Sequence, residues 1–403
     1  MRAAPLLTTM ALAAAVLTAC SSAPVSPSAS TGTSVPGTSS PTAAPATGPL
    51  RVERVAEGLD HPWDVAWARD RMLVTQRDGT LSTVADGQVR PVTADLGDVY
   101  ARGEGGLMGI AAFPDGSGRF VTCQTHAEGG RPVDIRVVSW QLSADGASAT
   151  RTKDPLVGGL PINPSGRHSG CRPTFGPDGA LWIGTGDTAR ATIPQDRTAL
   201  GGKVLRVDPE TGGPAPGNPF ASSGSAAERL ISGYGHRNVQ AVAFQPGTGT
   251  GWTVEHGSDV DDEVNVVIPG RNYGWDPARG GETPGGYDES VPMTDLDRYP
   301  DAVPAAWSSG DPTIAPSGGD FVSGPAWGDL DGVFAVGVQK DEKLLFMRPG
   351  TGPDAQRIVS VSTPREFDGE FGRIRGVRSG PDGALYLTTD NGNDDVVLRV
   401  TRG

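Results

Sequence analysis

The sequence is poor in basic residues, histidine, cysteine and aromatic residues. Its 403 residues include 34 Lys+Arg against 47 Asp+Glu, which gives a formal net charge of -13 at pH 7. This charge disfavours nucleic-acid binding, because phosphates repel an acidic protein. No GxGxxG pattern leads from a strand into a helix, so no nicotinamide-binding segment is predicted. Small neutral ligands suit this composition better than polyanions.

Long helical patterns are also missing, whereas glycine and proline are abundant. The chain has 58 Gly and 35 Pro, with 6% aromatic and 20% charged residues. This composition is typical of many short strands joined by turns. The sequence therefore predicts an all-β protein.

Only one run of apolar residues is long enough to suggest targeting, and it lies at the N-terminus. Arg2 is followed by an apolar stretch and then by Leu-Thr-Ala-Cys, ending at Cys20. The pattern is typical of a secretory signal and not of a membrane span. Small residues before a cysteine resemble the bacterial lipobox, in which the cysteine is lipidated. We therefore predict a lipoprotein signal peptide over residues 1–20, with an ordinary signal peptide as the alternative.

The segment after Cys20 has no charge and consists mainly of Ser, Thr, Pro, Ala and Gly. Such a segment cannot bury enough apolar surface to fold, so residues 21–50 are predicted to be a disordered tether. The exported protein would then be held on the outer face of the cytoplasmic membrane by its lipid alone. Two cysteines remain, Cys123 and Cys171, which are either a disulfide or two buried free thiols.

A similar sequence motif recurs through residues 51–403, in which a short predicted strand is followed by a turn and a second strand. Its copies begin at Val65, Ile110, Pro173, Ala241, Gly324 and Val377. Roughly 350 residues in six units give about 58 residues per unit, which is a four-stranded blade with extra loop length. The sequence therefore predicts a six-bladed β-propeller of four-stranded antiparallel sheets, with a pair of β-sandwiches as the second choice.

The residues that suggest a chemical function lie in four long sequence motifs, which include parts of the repeats. They are HSGCRPTFGPDGALWIGTGD from His168, GHRNVQAVAFQP from Gly235, EHGSDVDDEVNVVIPGRNYGWD from Glu255 and GRIRGVRSGPDGALYLTTDNG from Gly372. In order, they resemble the glucose/sorbosone dehydrogenase family, which contains soluble-type aldose dehydrogenases that use pyrroloquinoline quinone (PQQ). The resemblance runs from about Leu59 to the C-terminal strand and implies a propeller with PQQ and Ca²⁺ bound on its axial face.

The resemblance implies a role for several of these residues. His168 matches the family's general base, and imidazole suits removal of a hydroxyl proton near neutral pH. Residues matching the family's PQQ contacts, which would hold its three carboxylates, are Arg237, Asn238, Lys340, Arg373 and Arg375. Arg237 would also polarise the quinone oxygens. The chain has only four lysines, so a match at Lys340 has little chance of being accidental.

Glu104 departs from the family pattern. It stands in GEGGLMG where glucose-oxidising members carry glutamine. A carboxylate near an anionic cofactor weakens binding unless it is paired or protonated. We predict that Glu104 belongs to the cofactor site, with contact to substrate hydroxyls as the alternative.

The acidic phrase after Glu255 has the hard oxygen ligands that Ca²⁺ prefers. By resemblance, the carbonyl oxygens of Gly257 and Ser258 bind the ion that contacts PQQ. Glu263 and the Tyr273 carbonyl match ligands of a second, structural Ca²⁺. Asp288, or Glu289 beside it, is predicted to complete that second site.

The predicted function is PQQ-dependent oxidation of an aldose at its C1 hydroxyl to a lactone, with His168 as base and hydride transfer to Ca²⁺-bound PQQ. An external electron acceptor would reoxidise the cofactor. Two alternatives remain: a calcium-dependent propeller lactonase, and a non-catalytic sugar-binding propeller at the cell surface. A lactonase would have no need for the basic residues that match PQQ contacts, namely Arg237, Lys340, Arg373 and Arg375.

Overall fold

The computed structural model of the chain describes residues 49–279 and 286–403. The predicted signal peptide, Cys20 and the tether up to residue 48 lie outside the described residues. No helix within the described ranges is long and apolar enough to cross a membrane.

In the described residues, 24 strands form six four-stranded antiparallel sheets, which confirms the predicted six-bladed β-propeller. The first strand is β1 (Leu50–Leu59). Blade 1 consists of β2 (Pro62–Ala68), β3 (Arg71–Gln76), β4 (Leu81–Ala85) and β5 (Gln88–Pro91). Blade 2 consists of β6 (Leu107–Ala112), β7 (Arg119–Glu128), β8 (Arg131–Leu142) and β9 (Ala149–Leu160). Blade 3 consists of β10 (Gly170–Phe175), β11 (Leu181–Thr185), β12 (Lys203–Val207) and β13 (Ile231–Tyr234). Blade 4 consists of β14 (Val239–Phe244), β15 (Gly251–Glu255), β16 (Glu263–Val266) and β17 (Trp307–Ser308). Blade 5 consists of β18 (Pro316–Phe321), β19 (Phe334–Val338), β20 (Lys343–Pro349) and β21 (Ile358–Ser362). Blade 6 consists of β22 (Ile374–Ser379), β23 (Leu385–Thr389) and β24 (Asp395–Arg402), with β1 as its fourth strand. Short 3₁₀ helices span Glu228–Leu230, Pro325–Leu330, Gly352–Asp354 and Arg365–Phe367.

The two ends of the described chain close the ring of blades. β1 pairs antiparallel with β24, with Leu50 opposite Arg402. This pairing protects the last sheet edge, which would otherwise be open to other chains. The first described strand begins at Leu50, one residue before the predicted boundary, and the buried Leu50 side chain packs in a cluster formed by residues of blades 5 and 6.

The recurring motif corresponds to a hairpin within each blade. In blades 2, 3 and 6 its Pro-Asp-Gly turn joins the first and second strands, and the glycine has a positive φ, as at Gly116 (67°). A glycine takes this conformation without strain. The fifth copy differs, because its start at Gly324 lies after β18 and the Pro325–Leu330 segment replaces the short turn.

The first strands of neighbouring blades contact one another around the axis. Apolar side chains fill the space between the sheets; for example, Leu73, Ile110 and Trp140 are at most 1% exposed. Blades 2 and 3 approach so closely that a Cβ on Gly109 would lie 2.8 Å from the Cα of Arg172. A disulfide also links these blades, between Cys123 of β7 and Cys171 of β10, whose Cα atoms are 5.9 Å apart.

A buried ion cluster ties the first strands together at the axis. Asp64 of β2 contacts Nη1 of Arg172 at 2.9 Å and Nη2 of Arg378 at 2.7 Å. Arg172 donates to the carbonyl of Gln240 at 2.6 Å, and Arg378 donates to that of Pro173 at 3.0 Å. The cluster therefore joins blades 1, 3, 4 and 6.

Charge pairing keeps this cluster ionised despite its burial. Burial opposes ionisation of Asp64, but Arg172 and Arg378 outweigh it and lower its pKa. Burial also lowers the pKa of Arg172, to about 10, so this side chain stays protonated at neutral pH.

Asp64→Asn should destabilise the propeller strongly, because two buried guanidinium groups lose their counterion. We expect a loss of about 3–5 kcal/mol in the free energy of unfolding, measured by urea denaturation. Glu53→Gln, which breaks partly exposed ion pairs with Arg51 and with Arg399 of β24, is the control and should change stability by less than about 1 kcal/mol. Equal effects of the two substitutions would contradict a structural role for the axial cluster.

Candidate active site

The predicted base, His168, is held in a buried and oriented position. It precedes β10 with a left-handed backbone (φ 49°), and its side chain is 6% exposed. Its Nδ1 lies 2.8 Å from Oδ1 of Asp187, which comes two residues after β11. A carboxylate that accepts from Nδ1 leaves Nε2 as the proton acceptor of a neutral imidazole.

Asp187 is itself fixed by two further donors. Its Oδ2 accepts hydrogen bonds from Trp275 Nε1 at 2.9 Å and from the Tyr287 hydroxyl at 2.6 Å. Tyr287 also lies 3.3 Å from Nδ1 of His168. The carboxylate, the indole and the phenol together hold the imidazole in one orientation.

Glu104 lies within a set of hydrogen-bond donors. It accepts from the backbone N–H of Ser169 at 3.2 Å and from Nδ2 of Asn238 at 3.1 Å, with Gln240 Nε2 3.4 Å away. Burial works against ionisation of Glu104, but the neighbouring His256 and His168 outweigh it and lower its pKa. The extra carboxylate is therefore paired within the protein.

A cavity of about 490 Å³ opens beside this group. Its lining residues are His61, Arg77, Gly103, Glu104, Ser165, Gly166, Arg167, Arg373, Arg375, Asp390 and Asn391. His168 follows directly after this lining segment. Basic side chains outnumber acidic ones here although the chain as a whole is acidic, so the cavity suits an anion.

The structure brings the predicted Arg373 and Arg375 to this cavity. Arg375 donates two hydrogen bonds to Oδ2 of Asp390, at 2.9 and 2.7 Å, and its buried Nη1 has no partner among the described residues. Arg373 donates to Gln339 at 2.8 Å. Lys340, by contrast, is exposed, is absent from the lining, and has Thr313 Oγ1 3.4 Å from its Nζ.

Arg237 and Asn238 start blade 4 and lie close to the base. Arg237 donates to Oε2 of Glu289 at 2.9 Å and to the carbonyl of His256 at 3.3 Å. Several buried polar atoms around this group have no partner among the described residues: Nε of Arg237, Oδ1 of Asn238, Oε1 of Gln240, Nε2 of His256 and Oγ of Ser258. Unpaired buried polar atoms are costly, so their concentration here fits a polar ligand.

The loop predicted to hold the first Ca²⁺ is tightly built. The backbone N–H of Gly257 donates to Oδ1 of Asp262 at 2.7 Å. A Cβ on Gly257 would lie 2.4 Å from the carbonyl oxygen of Val260, so only glycine fits. The carbonyl oxygens of Gly257 and Ser258 accept no backbone hydrogen bond from the described residues. Such free carbonyls are suitable ligands for a hard cation.

Two buried carboxylates face each other at the second predicted Ca²⁺ site. Glu255 and Glu263 are paired residues of β15 and β16. Burial and the Glu255 charge raise the pKa of Glu263 to about 8. A divalent cation would relieve this repulsion, and the backbone of the buried Tyr273 follows nearby in blade 4.

Asp288 and Glu263 have different partners among the described residues. The Asp288 carboxylate accepts from Ser290 at 2.6 Å and pairs with Arg279 at 2.8 Å. Glu263 accepts from Thr294 at 2.9 Å, so the predicted role of Asp288 at the second Ca²⁺ site stays a prediction. Glu289, the other candidate, points to Arg237 instead. No group of three or more His, Cys, Asp or Glu suited to a metal occurs in the described part of the chain.

The sequence did not indicate that Asp187, Asp390 or Lys203 belongs to the site. Both aspartates end the second strand of a Pro-Asp-Gly hairpin, in GTGD and TTDN, and that shared position is the signal that could have found them. Lys203 is fully buried and donates to the carbonyls of Ile193, Pro194 and Gly201 at 2.6–3.0 Å. It thereby anchors the loop that follows Asp187.

Comparison with known proteins agrees with this geometry. A sequence model of the family Glucose / Sorbosone dehydrogenase matches residues 59–399, so the chain belongs to this family. The aldose sugar dehydrogenase YliI of Escherichia coli is 30% identical over 358 residues, which cover 88% of this chain and 93% of that protein. The PQQ-bound aldose sugar dehydrogenase of Streptomyces coelicolor superposes with a TM-score of 0.69 at 30% identity, over 89% of this chain and all of that one. Quinoprotein glucose dehydrogenase B of Acinetobacter calcoaceticus is 27% identical over 273 residues, 58% of this chain and 54% of that protein.

The buried Lys203 makes stability depend on pH. Burial lowers its pKa to about 7, from about 10.4 in the unfolded chain. Between these values the unfolded chain binds more protons, so stability rises with pH. Relative to Lys203→Met, the wild type should gain about 1 kcal/mol per pH unit between pH 7.5 and 9 in urea denaturation.

The matched control is Lys343→Met, at a surface lysine 3.7 Å from Asp368. It should show no such trend. A wild-type advantage over Lys203→Met that stays constant with pH would contradict the lowered pKa of Lys203.

Proposed function

We propose that the chain oxidises aldose sugars at the C1 hydroxyl to lactones, using PQQ and Ca²⁺. The observation that carries the proposal is the oriented His168–Asp187 pair beside a cavity whose lining has more basic than acidic side chains, with Nη1 of Arg375 left without a partner among the described residues. Family membership and relatives that bind PQQ support it. When bound, PQQ would supply the acceptor for the hydride that leaves C1.

In this proposal the protein's residues bind, orient and move a proton. Nε2 of His168 takes the proton of the C1 hydroxyl, and Asp187 stabilises the imidazolium that results. Arg237, Arg373 and Arg375 hold the cofactor carboxylates, and Asn238 donates beside them. Glu104 orients the amide of Asn238 and the backbone of Ser169, next to the base.

Ca²⁺ would be held by the carbonyl oxygens of Gly257 and Ser258, where it acts as a Lewis acid at the cofactor. A second Ca²⁺ between Glu255 and Glu263 would be structural. Lys340 would reach the cofactor only by turning from Thr313, so its contribution should be smaller than that of Arg375. The oxidant that completes turnover is an external electron acceptor.

We also propose that the protein is exported and anchored by lipid at Cys20, with the predicted tether of residues 21–50 shortened to 21–49 because Leu50 begins β1. The support is the sequence pattern alone. Mass spectrometry of the native protein should find a diacylated N-terminal cysteine, and an unmodified N-terminus would contradict the anchor.

Reconstitution tests the proposed function. The purified chain should reduce a dye with one or more aldoses only when both Ca²⁺ and PQQ are present, and chelation by EDTA should abolish the activity. A complete lack of PQQ binding by calorimetry would contradict it in favour of the hydrolase or the sugar-binding propeller, and sugar-lactone hydrolysis without PQQ would favour the hydrolase.

His168→Ala should lower kcat by about 10²–10⁴-fold while PQQ binding persists, because the base but not the anion site is lost. Asp187→Asn should also lower kcat, since the amide does not hold the same imidazole tautomer. His126→Ala, which removes a histidine paired with Asp98 outside the cavity, is the control and should retain activity. Unchanged turnover in His168→Ala would contradict its role.

A further inference from the structure

A second histidine, which lines the cavity, has an environment that resembles that of the base. His61 precedes β2, and its Nδ1 lies 2.5 Å from Oδ1 of Asp390. Of the five histidines, only His61 and His168 have a left-handed backbone, with φ 47° at His61. A non-glycine residue held in this conformation costs free energy and is typical of ligand sites.

The backbone of His61 is fixed on both sides. Its N–H donates to Oδ2 of Asp395 at 3.1 Å, and its carbonyl accepts from the N–H of Arg77 at 3.1 Å. Asp395 is fully buried and also accepts from Thr389 at 2.6 Å. The imidazole is therefore presented to the cavity by a rigid support across the boundary between blades 6 and 1.

Asp390 connects His61 to the anion site. Its Oδ1 faces His61, and its Oδ2 accepts both hydrogen bonds from Arg375. Burial opposes ionisation of Asp390, but Arg375 and His61 outweigh it and lower its pKa. One carboxylate thus orients an imidazole and a guanidinium toward the same cavity.

The other ring nitrogen of His61 is available to a ligand. Nε2 has no hydrogen-bond partner among the described residues, and its closest carboxylate is Asp60, at 3.7 Å with a side chain 64% exposed. The His61 side chain is 29% exposed, more than those of His126 or His168. His236, by contrast, is fully buried against Glu255 and Tyr273.

We propose that His61 is a cofactor-binding residue, which donates from Nε2 to a carboxylate of the anionic quinone while Asp390 holds Nδ1. The proposal rests on the proposed function. With Nδ1 held by Asp390, His61 would add a hydrogen bond to a ligand carboxylate beside those of Arg373 and Arg375. The His61–Asp390 pair is distinct from the His168–Asp187 pair of the proposed base, because Asp390 belongs to blade 6 and Asp187 to blade 3.

The first test measures PQQ affinity by calorimetry with the full chain in Ca²⁺. His61→Gln should raise Kd about tenfold, which is about 1.4 kcal/mol, because a charged hydrogen bond is lost. His126→Gln, which breaks a comparable His–Asp pair outside the cavity, should bind as the wild type does. Equal Kd values for His61→Gln and the wild type would overturn the inference, whereas a wild type that fails to bind would overturn the proposed function.

A double-mutant cycle separates direct contact from an effect through Arg375. If His61 contacts the ligand, His61→Gln still weakens binding in the Arg375→Gln background. No further loss in that background would show that His61 acts only by orienting Arg375, and would overturn direct contact.

The second test needs no variant. Diethylpyrocarbonate should modify His61 in the cofactor-free chain, and PQQ with Ca²⁺ should protect it, as measured by peptide mass spectrometry. The buried His236 should remain unmodified in both states. Modification of His61 to the same extent in both states would overturn the proposal.

Discussion

The buried Asp64–Arg172–Arg378 cluster is the constraint on which the site depends. Propeller blades contact only their neighbours, so nothing in the sheets themselves fixes residues across the axis. The cluster supplies this connection, since its three side chains come from blades 1, 3 and 6 and bond the backbone of blade 4. Each member lies on the first strand of its blade.

The site residues are attached to these same strands. His168 lies four residues before Arg172, and Arg375 lies three residues before Arg378. Arg172 also donates to the carbonyl of Arg375 at 3.2 Å. The base and the anion-binding arginine, more than 200 residues apart in the chain, are therefore held in register by one ion cluster. Catalytic geometry of this kind requires placement within about 0.5 Å, which a rigid axis provides.

The polar groups of the site are arranged in pairs that leave one atom of each free for a ligand. Asp187 holds one nitrogen of His168, Asp390 holds one edge of Arg375, and Glu104 holds the amide of Asn238. The remaining atoms, Nε2 of His168, Nη1 of Arg375 and Oδ1 of Asn238, have no hydrogen-bond partner within the described ranges, and Arg375 lines the cavity. The acidic chain thus presents a local basic surface, because its carboxylates at the site are already paired.

The sequence predicted the fold and much of the site for physical reasons. Hairpin repeats are local, so the six blades could be counted from turn chemistry. The positions of Arg373, Arg375 and Glu104 followed from long phrases matched to a family. The pairing of Asp187 with His168 and of Asp390 with Arg375 was not predicted, because an Asp near the end of a strand carries no signal of which side chain it meets. Lys340 and Asp288 stay predictions. In the described structure Lys340 lies near Thr313 and Asp288 contacts Ser290 and Arg279, and residue type alone does not indicate which partner a side chain meets in a turn.

The most direct test of this account is a crystal structure of the chain grown with Ca²⁺ and PQQ. The account predicts a planar ligand in the cavity between Glu104 and Arg375, with its carboxylates on the arginines and His168 Nε2 beside its reactive face. Ca²⁺ should lie on the carbonyls of Gly257 and Ser258. A ligand bound elsewhere, or a cavity that stays empty at saturating PQQ, would contradict it.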